Sequence, residues 1–170
     1  MMKQNQDRVS AREAAYHSLL RCATQERYVN LELDHAIEAC GLTGAERGLF
    51  TTLVYGVVER MLTLDHYLSQ CCDRSYDTVS LQVKTVLRLG AYQLLYLDRV
   101  PSYAVLDESV QLCKKRYPKA SGFVNAVLRT LLRTKANLTL PDPQKDPISY
   151  LSVRFSVLPA LCHLWVTQYG

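Results

Sequence analysis

A cluster of cationic side chains between Leu112 and Lys135 is the stretch of this sequence best suited to binding chemistry. It contains no acidic residue, and its basic residues are Lys114, Lys115, Arg116, Lys119, Arg129, Arg133 and Lys135. Guanidinium and ammonium groups hold phosphate oxygens through charge-assisted hydrogen bonds. A run of this kind is also common at a solvated helix end, and a formal net charge of +4 does not by itself name a partner. The cluster therefore indicates either an anion-binding surface or an ordinary solvated face.

A second group of cations lies at the start of the chain. Lys3, Arg8 and Arg12 lead into a helix that the sequence predicts at about residues 10–24. Cations at a helix N-terminus oppose the helix dipole slightly, so their presence there suggests an anionic partner rather than a contribution to stability. These three residues form a candidate binding surface separate in sequence from the first one.

The sequence contains no pattern that supports catalysis. The cysteines show neither a C-x-x-C pair nor zinc-ligand spacing, and they are Cys22, Cys40, Cys71, Cys72, Cys113 and Cys162. Phosphate-binding glycine loops, zinc-protease helices and nucleophile elbows are absent from the sequence, and His35 and Glu38 have no third ligand at a supporting spacing. We therefore predict no catalytic, metal-binding or cofactor-binding residue in this chain. Unpaired thiols and the lack of an apolar run of about 18 residues favour a cytoplasmic protein without a membrane partner.

Composition and periodicity predict an all-α protein. Of 170 residues 48% are apolar, while only 7 are glycine and 6 proline. Ser80–Leu97 is apolar nearly all round, which is typical of a helix inside a bundle. Residues 120–133 carry an apolar stripe with a basic opposite face, and we expect Asn125 beside that stripe to satisfy backbone groups or to fix a helix crossing.

Local signals predict where several helices begin and end. Ser10 with Glu13, and Thr43 with Glu46, each form the pattern of a capping box. Gly41 is a natural helix stop. The helix that follows Thr43 is predicted to continue as far as Cys72.

The last part of the chain changes character after Ala136. Pro141, Pro143 and Pro147 exclude a helix and favour an extended, semi-rigid connector. We therefore predict a helical domain at residues 1–137, a Pro-rich linker at 138–147 and a short helical segment at 148–170. A segment of that length is too small to bury its own core.

Four linked motifs carry a resemblance to a known family. They are AERGLFTTLVYGVVER at residues 45–60, VLRLGAYQLL at 86–95, VPSYAV at 100–105 and GFVNAVLR at 122–129. In order and spacing they resemble the NusB-like fold, a bundle of about six to seven helices, over residues 8–135. The last two motifs are followed by a Pro-rich connector. This succession most resembles the N-terminal domain of bacterial 16S rRNA cytosine-5 methyltransferases of the Sun/Fmu type. Ala160 and Leu161 depart from that pattern, which has an aromatic residue near this place.

The resemblance implies an RNA-binding and RNA-positioning domain. In NusB relatives the basic start of the first helix touches RNA, so Arg8 and Arg12 match that region and Lys3 extends it. The second candidate surface comprises Lys114, Lys115, Arg116, Lys119, Arg129 and Arg133. The expected partner is small-subunit rRNA, and a ribosomal protein or self-association is also open.

The resemblance also implies what lies outside this chain. S-adenosylmethionine and a catalytic Pro-Cys motif would belong to a catalytic domain beyond Gly170, which makes this chain an RNA-recruiting fragment of an enzyme that methylates a cytosine of small-subunit rRNA. The alternative is a NusB-type transcription antitermination factor or a protein-interaction module without catalysis.

Overall fold

The computed structural model describes residues 8–170, and regular structure in this part of the chain is entirely helical. Its α-helices are α1 (Ala11–Gln25), α2 (Val29–Cys40), α3 (Gly44–Glu59), α4 (Met61–Gln70), α5 (Leu81–Tyr96), α6 (Ser102–Arg116), α7 (Ser121–Thr134), α8 (Pro147–Phe155) and α9 (Pro159–Tyr169). Short 3₁₀ helices lie at Tyr76–Thr78, Pro118–Ala120 and Lys135–Asn137. The prediction of an all-α bundle of six to seven helices followed by a short helical extension is confirmed, since α1–α7 precede the Pro-rich stretch.

Capping signals define the first two helices. The Ser10 side-chain oxygen accepts a hydrogen bond from the Glu13 N–H at 3.2 Å, so Ser10 is the N-cap of α1 as predicted. Gly41 ends α2 in the left-handed conformation at φ 61°, where a glycine avoids the steric cost that other residues meet. Both helix ends therefore follow directly from local sequence.

The single helix predicted from Thr43 to Cys72 is wrong. Arg60 leaves the helical region with φ −118° and ψ 18°, and this residue separates α3 from α4. Its guanidinium lies 4.7 Å from the ring centroid of Tyr96, and Tyr96 in turn stacks on Tyr92 with 5.5 Å between centroids. This cation–π contact accompanies the break. Because arginine is a good helix former, local helix propensity does not predict the break at Arg60.

Helix α5 supplies the centre of the core, as its apolar pattern predicts. Its buried residues include Val86, Leu87 and Ala91, and it packs against α4, α6 and α7. Gly90 permits the closest of these approaches, because an added Cβ would stand 2.6 Å from Leu128 Cδ1 of α7 and 3.0 Å from Ser109 Oγ of α6. The contact at Gly90 thereby sets the spacing of the three helices.

An ion pair ties α4 to α5. Arg88 donates to both carboxylate oxygens of Asp65 at 2.7 Å, and the Tyr76 hydroxyl donates to the same carboxylate at 2.7 Å. Burial and the Asp65 charge raise the pKa of Tyr76. The phenol therefore stays protonated and keeps its role as a donor.

The described chain forms two compact units, one up to Gly56 and the other Val57–Gly170. Within the second unit, the Pro-rich stretch and α8 are attached to α4. The Thr63 hydroxyl donates to the Val153 carbonyl, the Leu62 N–H donates to Ser156 Oγ at 3.0 Å, and Gln70 donates to the Thr139 carbonyl at 2.8 Å. The predicted division into residues 1–137, 138–147 and 148–170 stays a prediction.

Candidate nucleic-acid interface

Two helices place part of the second predicted surface along a shared groove. The groove lies between α6 and α7 and has a volume of about 520 Å³. We call it the α6–α7 groove, and its lining residues are Tyr103, Leu106, Asp107, Val110, Lys114, Ser121, Gly122, Asn125, Arg129 and Leu132. Lys114 and Arg129 are the cations that it brings together, while Asp107 adds one negative charge. The groove therefore combines apolar side chains with two cations and one acid.

Asn125 orients one of the two cations of α7, Arg129. The Arg129 Nε donates to Asn125 Oδ1 at 3.0 Å, one helical turn away. This half-buried amide faces the groove, whereas the sequence favoured an amide that satisfies backbone groups or fixes a helix crossing. The hydrogen bond uses one of the five N–H donors of the guanidinium, and Arg129 is exposed.

Arg116 and Lys119 belong to a different groove of about 500 Å³. Lys114 and Arg116 stand two residues apart on α6, which places them about 200° apart around a helix of 3.6 residues per turn. Arg74, from the turn after α4, lines the groove with them. We call it the Arg74 groove, and its other lining residues are Val79, Ser80, Val83, Tyr117, Pro118 and Ala120. Sequence reasoning missed Arg74, because the turn that carries it is remote in sequence from the basic cluster.

The two other predicted cations of this region lie on helix surfaces. Lys115 is exposed near the end of α6, and Arg133 is exposed in the last turn of α7, four residues after Arg129. The basic residues predicted as one surface are thus divided among two grooves and two helix ends. A nucleic-acid backbone presents phosphates at regular intervals. These six cations could therefore contact several phosphates without forming one flat surface.

The first predicted surface begins at the edge of the described chain. Arg8 is exposed, Arg12 is half-buried in the first turn of α1, and Lys3 lies outside the described residues. The carboxylate of Glu46 accepts from the Ala11 N–H at 2.8 Å. Glu46 therefore caps α1 rather than completing a capping box on α3, and its negative charge occupies the place where a helix N-terminus would hold an anion.

Further basic residues near α1 serve a structural purpose. The buried carboxylate of Glu32 accepts from Arg21 Nε at 2.7 Å, from Arg27 Nη1 at 3.1 Å and from Ser18 Oγ at 3.1 Å. Burial raises the pKa of Glu32, but the hydrogen bonds from Arg21 and Arg27 outweigh it and leave this pKa below its usual range. Arg21 thus neutralises a buried charge and joins α1 to α2.

The thiols have the character of packing residues. Cys71 and Cys113 are buried, Cys22 and Cys72 are half-buried, and burial raises the pKa of all four. A raised pKa lowers the fraction of thiolate, which is the nucleophilic form. The described residues contain no group of three or more His, Cys, Asp or Glu side chains able to hold a metal ion.

Comparisons with known proteins agree with this architecture. The family model described as "NusB family" matches residues 9–133.

This chain belongs to the NusB family.

Relatives of two kinds are similar to this chain. The probable ribosomal RNA small subunit methyltransferase B of Bacillus subtilis is 32% identical over 164 residues, which cover 96% of this chain and 36% of that protein. The transcription antitermination protein NusB of Bacillus velezensis is 30% identical over 126 residues, covering 73% of this chain and 94% of that protein. The chain thus spans about a third of the length of the methyltransferases that it matches.

Solved structures bear out the NusB fold. NusB from T. maritima superposes with a TM-score of 0.66 at 21% identity, covering 72% of this chain and 88% of that structure. Within residues 8–170 no helix combines the length and apolar character that a membrane crossing requires.

Proposed function

We propose that this chain is the RNA-binding and RNA-positioning domain of an S-adenosylmethionine-dependent 16S rRNA (cytosine-5) methyltransferase that acts in the cytoplasm. The observation that carries the proposal is the match of nearly the whole chain, including the helices after Thr134, to the probable ribosomal RNA small subunit methyltransferase B of Bacillus subtilis. A NusB antitermination relative matches only 73% of the chain. Helices α8 and α9 therefore favour assignment to the methyltransferase relatives over the antitermination proteins.

The domain would bind RNA chiefly through phosphates. Lysine and arginine side chains position a nucleic acid without reading its sequence, and the lysines and arginines concerned are Lys3, Arg8, Arg12, Lys114, Lys115, Arg116, Lys119, Arg129 and Arg133. Because Glu46 already caps α1, Arg8 and Arg12 would act through their side chains rather than with the helix N-terminus. Small-subunit rRNA is the proposed partner.

Methyl transfer would belong to another part of a longer protein. S-adenosylmethionine supplies the methyl group in such enzymes, and nucleotide-type cofactors bind at the carboxyl ends of strands in an open sheet. The described residues include no strand, so they do not fit this cofactor. We propose residues 1–137 as the RNA-binding domain, 138–147 as a connector and 148–170 as a segment leading toward a catalytic domain.

The test is binding of the 170-residue chain to a labelled small-subunit rRNA helix and to an unrelated duplex, measured by fluorescence anisotropy across a salt series. We expect affinity to fall steeply with salt, with a slope that corresponds to about four to six phosphates. Arg8→Ala/Arg12→Ala and Lys114→Ala/Arg129→Ala should each weaken binding and reduce the slope. The matched control, Lys145→Ala/Arg154→Ala, removes two exposed cations that line neither groove. Absence of RNA binding at low salt would overturn the proposal.

A second candidate function is a protein-interaction module. Phe155, Leu158, Trp165 and Tyr169 at α8 and α9 are exposed apolar side chains, and exposed apolar surface is typical of contact sites. This candidate predicts self-association or ribosomal-protein binding that persists at high salt, since apolar contacts are not screened by ions. Sedimentation of the chain in low and high salt distinguishes a salt-tolerant dimer from a monomer that binds RNA.

A further inference from the structure

We propose that the Arg74 groove holds one unpaired nucleotide of the RNA, with its phosphate at the cationic rim and its base on the apolar floor. This inference rests on the proposed RNA-binding function and names the form of RNA that the domain recognises. A volume of about 500 Å³ falls within the range of roughly 300–1,000 Å³ that is typical of small-ligand sites.

The rim of the groove has one sign of charge. Arg74 comes from the turn after α4, Arg116 from the last turn of α6, and Lys119 from the 3₁₀ helix Pro118–Ala120. Among the residues that line this groove, all in the described part of the chain, none is acidic. The α6–α7 groove differs, because Asp107 lines it and Asn125 holds its Arg129. The Arg74 groove is therefore the better match for a phosphate.

Arg74 is held in a defined position. Its guanidinium lies 4.2 Å from the ring centroid of Phe123 on α7. This cation–π contact fixes the plane of the guanidinium while its N–H groups, which lie in that plane, remain able to donate to a phosphate. A preorganised donor loses less entropy on binding than a freely rotating side chain.

The floor of the groove is suited to a nucleobase. Val79 and Val83 are buried, and Tyr117 and Pro118 add an aromatic ring and a pyrrolidine ring. In an A-form duplex the bases are stacked inside the helix, so a duplex would contact the rim and leave this floor empty. An unpaired base can place its ring face against such a surface in addition to the phosphate contact. The floor and rim together therefore favour single-stranded RNA over a duplex.

The test compares a labelled 12-nucleotide single-stranded RNA with the same strand annealed to its complement, using the 170-residue chain. Ala120→Leu narrows the groove without changing a charge, and the helical backbone at Ala120, with φ −91° and ψ −8°, accepts leucine. We expect it to weaken binding of the single strand by about tenfold, the scale of one lost base stack, and to leave duplex binding unchanged.

Two charge variants test the rim. Arg74→Gln and Lys119→Glu should each weaken single-strand binding by about five- to tenfold and lower the salt slope by roughly 0.7 per phosphate contact. Lys145→Glu is the matched charge reversal, because Lys145 is 85% exposed and lies outside the groove. Circular dichroism verifies that each variant is folded.

The outcomes separate this inference from the proposed function. If the chain binds RNA but Ala120→Leu and the rim variants behave like Lys145→Glu, or if the single strand binds no better than the duplex, the groove does not hold an unpaired nucleotide. The proposed function would then stand without it. If the unmodified chain binds neither RNA at low salt, the proposed function and this inference are both overturned.

Discussion

Adding one methyl group at Gly90 should destabilise the chain, although the same change stabilises most exposed helix positions. In α5 an alanine Cβ at this position would stand 2.6 Å from Leu128 Cδ1 and 3.0 Å from Ser109 Oγ. The optimal separation between nonbonded carbon atoms is about 3.5–4.0 Å. Leu128 is fully buried, so its side chain cannot turn into solvent to make room.

Two opposing effects set the magnitude. Replacing a glycine by alanine inside a helix contributes about 1 kcal/mol of stability through backbone entropy. Overpacking a close-packed core costs about 1–3 kcal/mol. The shortest contact is about 1 Å below the optimum and the Leu128 side chain is enclosed. We therefore expect the overpacking cost to exceed the gain in backbone entropy and to lie in the upper part of its range. Gly90→Ala should lower the free energy of unfolding by about 1–2 kcal/mol, or the melting temperature by roughly 2–8 °C for a chain of this size.

Gly48 provides the control. It lies in α3, is exposed, and an added Cβ there would have nothing within 4 Å. Gly48→Ala should therefore raise the free energy of unfolding by about 0.5–1 kcal/mol. Urea denaturation followed by circular dichroism measures both variants. If Gly90→Ala stabilises the chain as Gly48→Ala does, the close approach of α5, α6 and α7 at this residue is not real.

The two ion-pair clusters give two further expectations. Glu32→Gln should cost about 1–3 kcal/mol, since it removes the buried carboxylate that Arg21 and Arg27 pair with, while both arginines stay partly exposed to water. Because the pKa of Glu32 is lower in the folded chain than in the unfolded chain, its contribution is fully present above about pH 4.3 and is lost as the pH falls through the folded value. Urea midpoints from pH 3 to pH 7 should consequently vary less for the variant than for the unmodified chain. Asp65→Asn should cost about 2–4 kcal/mol by removing the partner of Arg88, while Tyr76→Phe should cost only about 1 kcal/mol because one donor is lost. Equal losses in thermal melts of these two variants would contradict the shared-carboxylate arrangement.

Helix positions could be predicted from the sequence because the signals that define them are local. The Ser10 cap, the Gly41 stop and the apolar pattern of α5 each depend on residues a few positions apart. The break at Arg60 could not be predicted, since it coincides with a contact to Tyr96 on another helix. Local patterns fix where a helix tends to form, and contacts remote in sequence decide where it is interrupted.

The candidate site was predicted only as a set of charges. The division of Lys114 and Arg116 between two grooves could have been derived from helical spacing, because residues two apart face nearly opposite directions. The participation of Arg74 could not, since it depends on the packing of the turn after α4 against the loop before α7. Nor did the pattern at Thr43 reveal that Glu46 bonds to Ala11, 35 residues earlier in the chain.

The attachment of α8 to α4 determines whether the end of the chain has a fixed orientation relative to the rest of Val57–Gly170. Hydrogen bonds connect α4 to the segment between Thr139 and Ser156 at two places, the adjacent residues Leu62 and Thr63 near the start of α4 and Gln70 at its end. A proline-rich tether would let the elements that follow it diffuse within a volume set by its length. The bonds of Leu62 and Thr63 instead hold α8 directly on α4, and the bond of Gln70 holds the start of the Pro-rich stretch on the same helix. Because α9 packs on α8, a partner bound to α9 would be held in one direction from α4 and not merely near it.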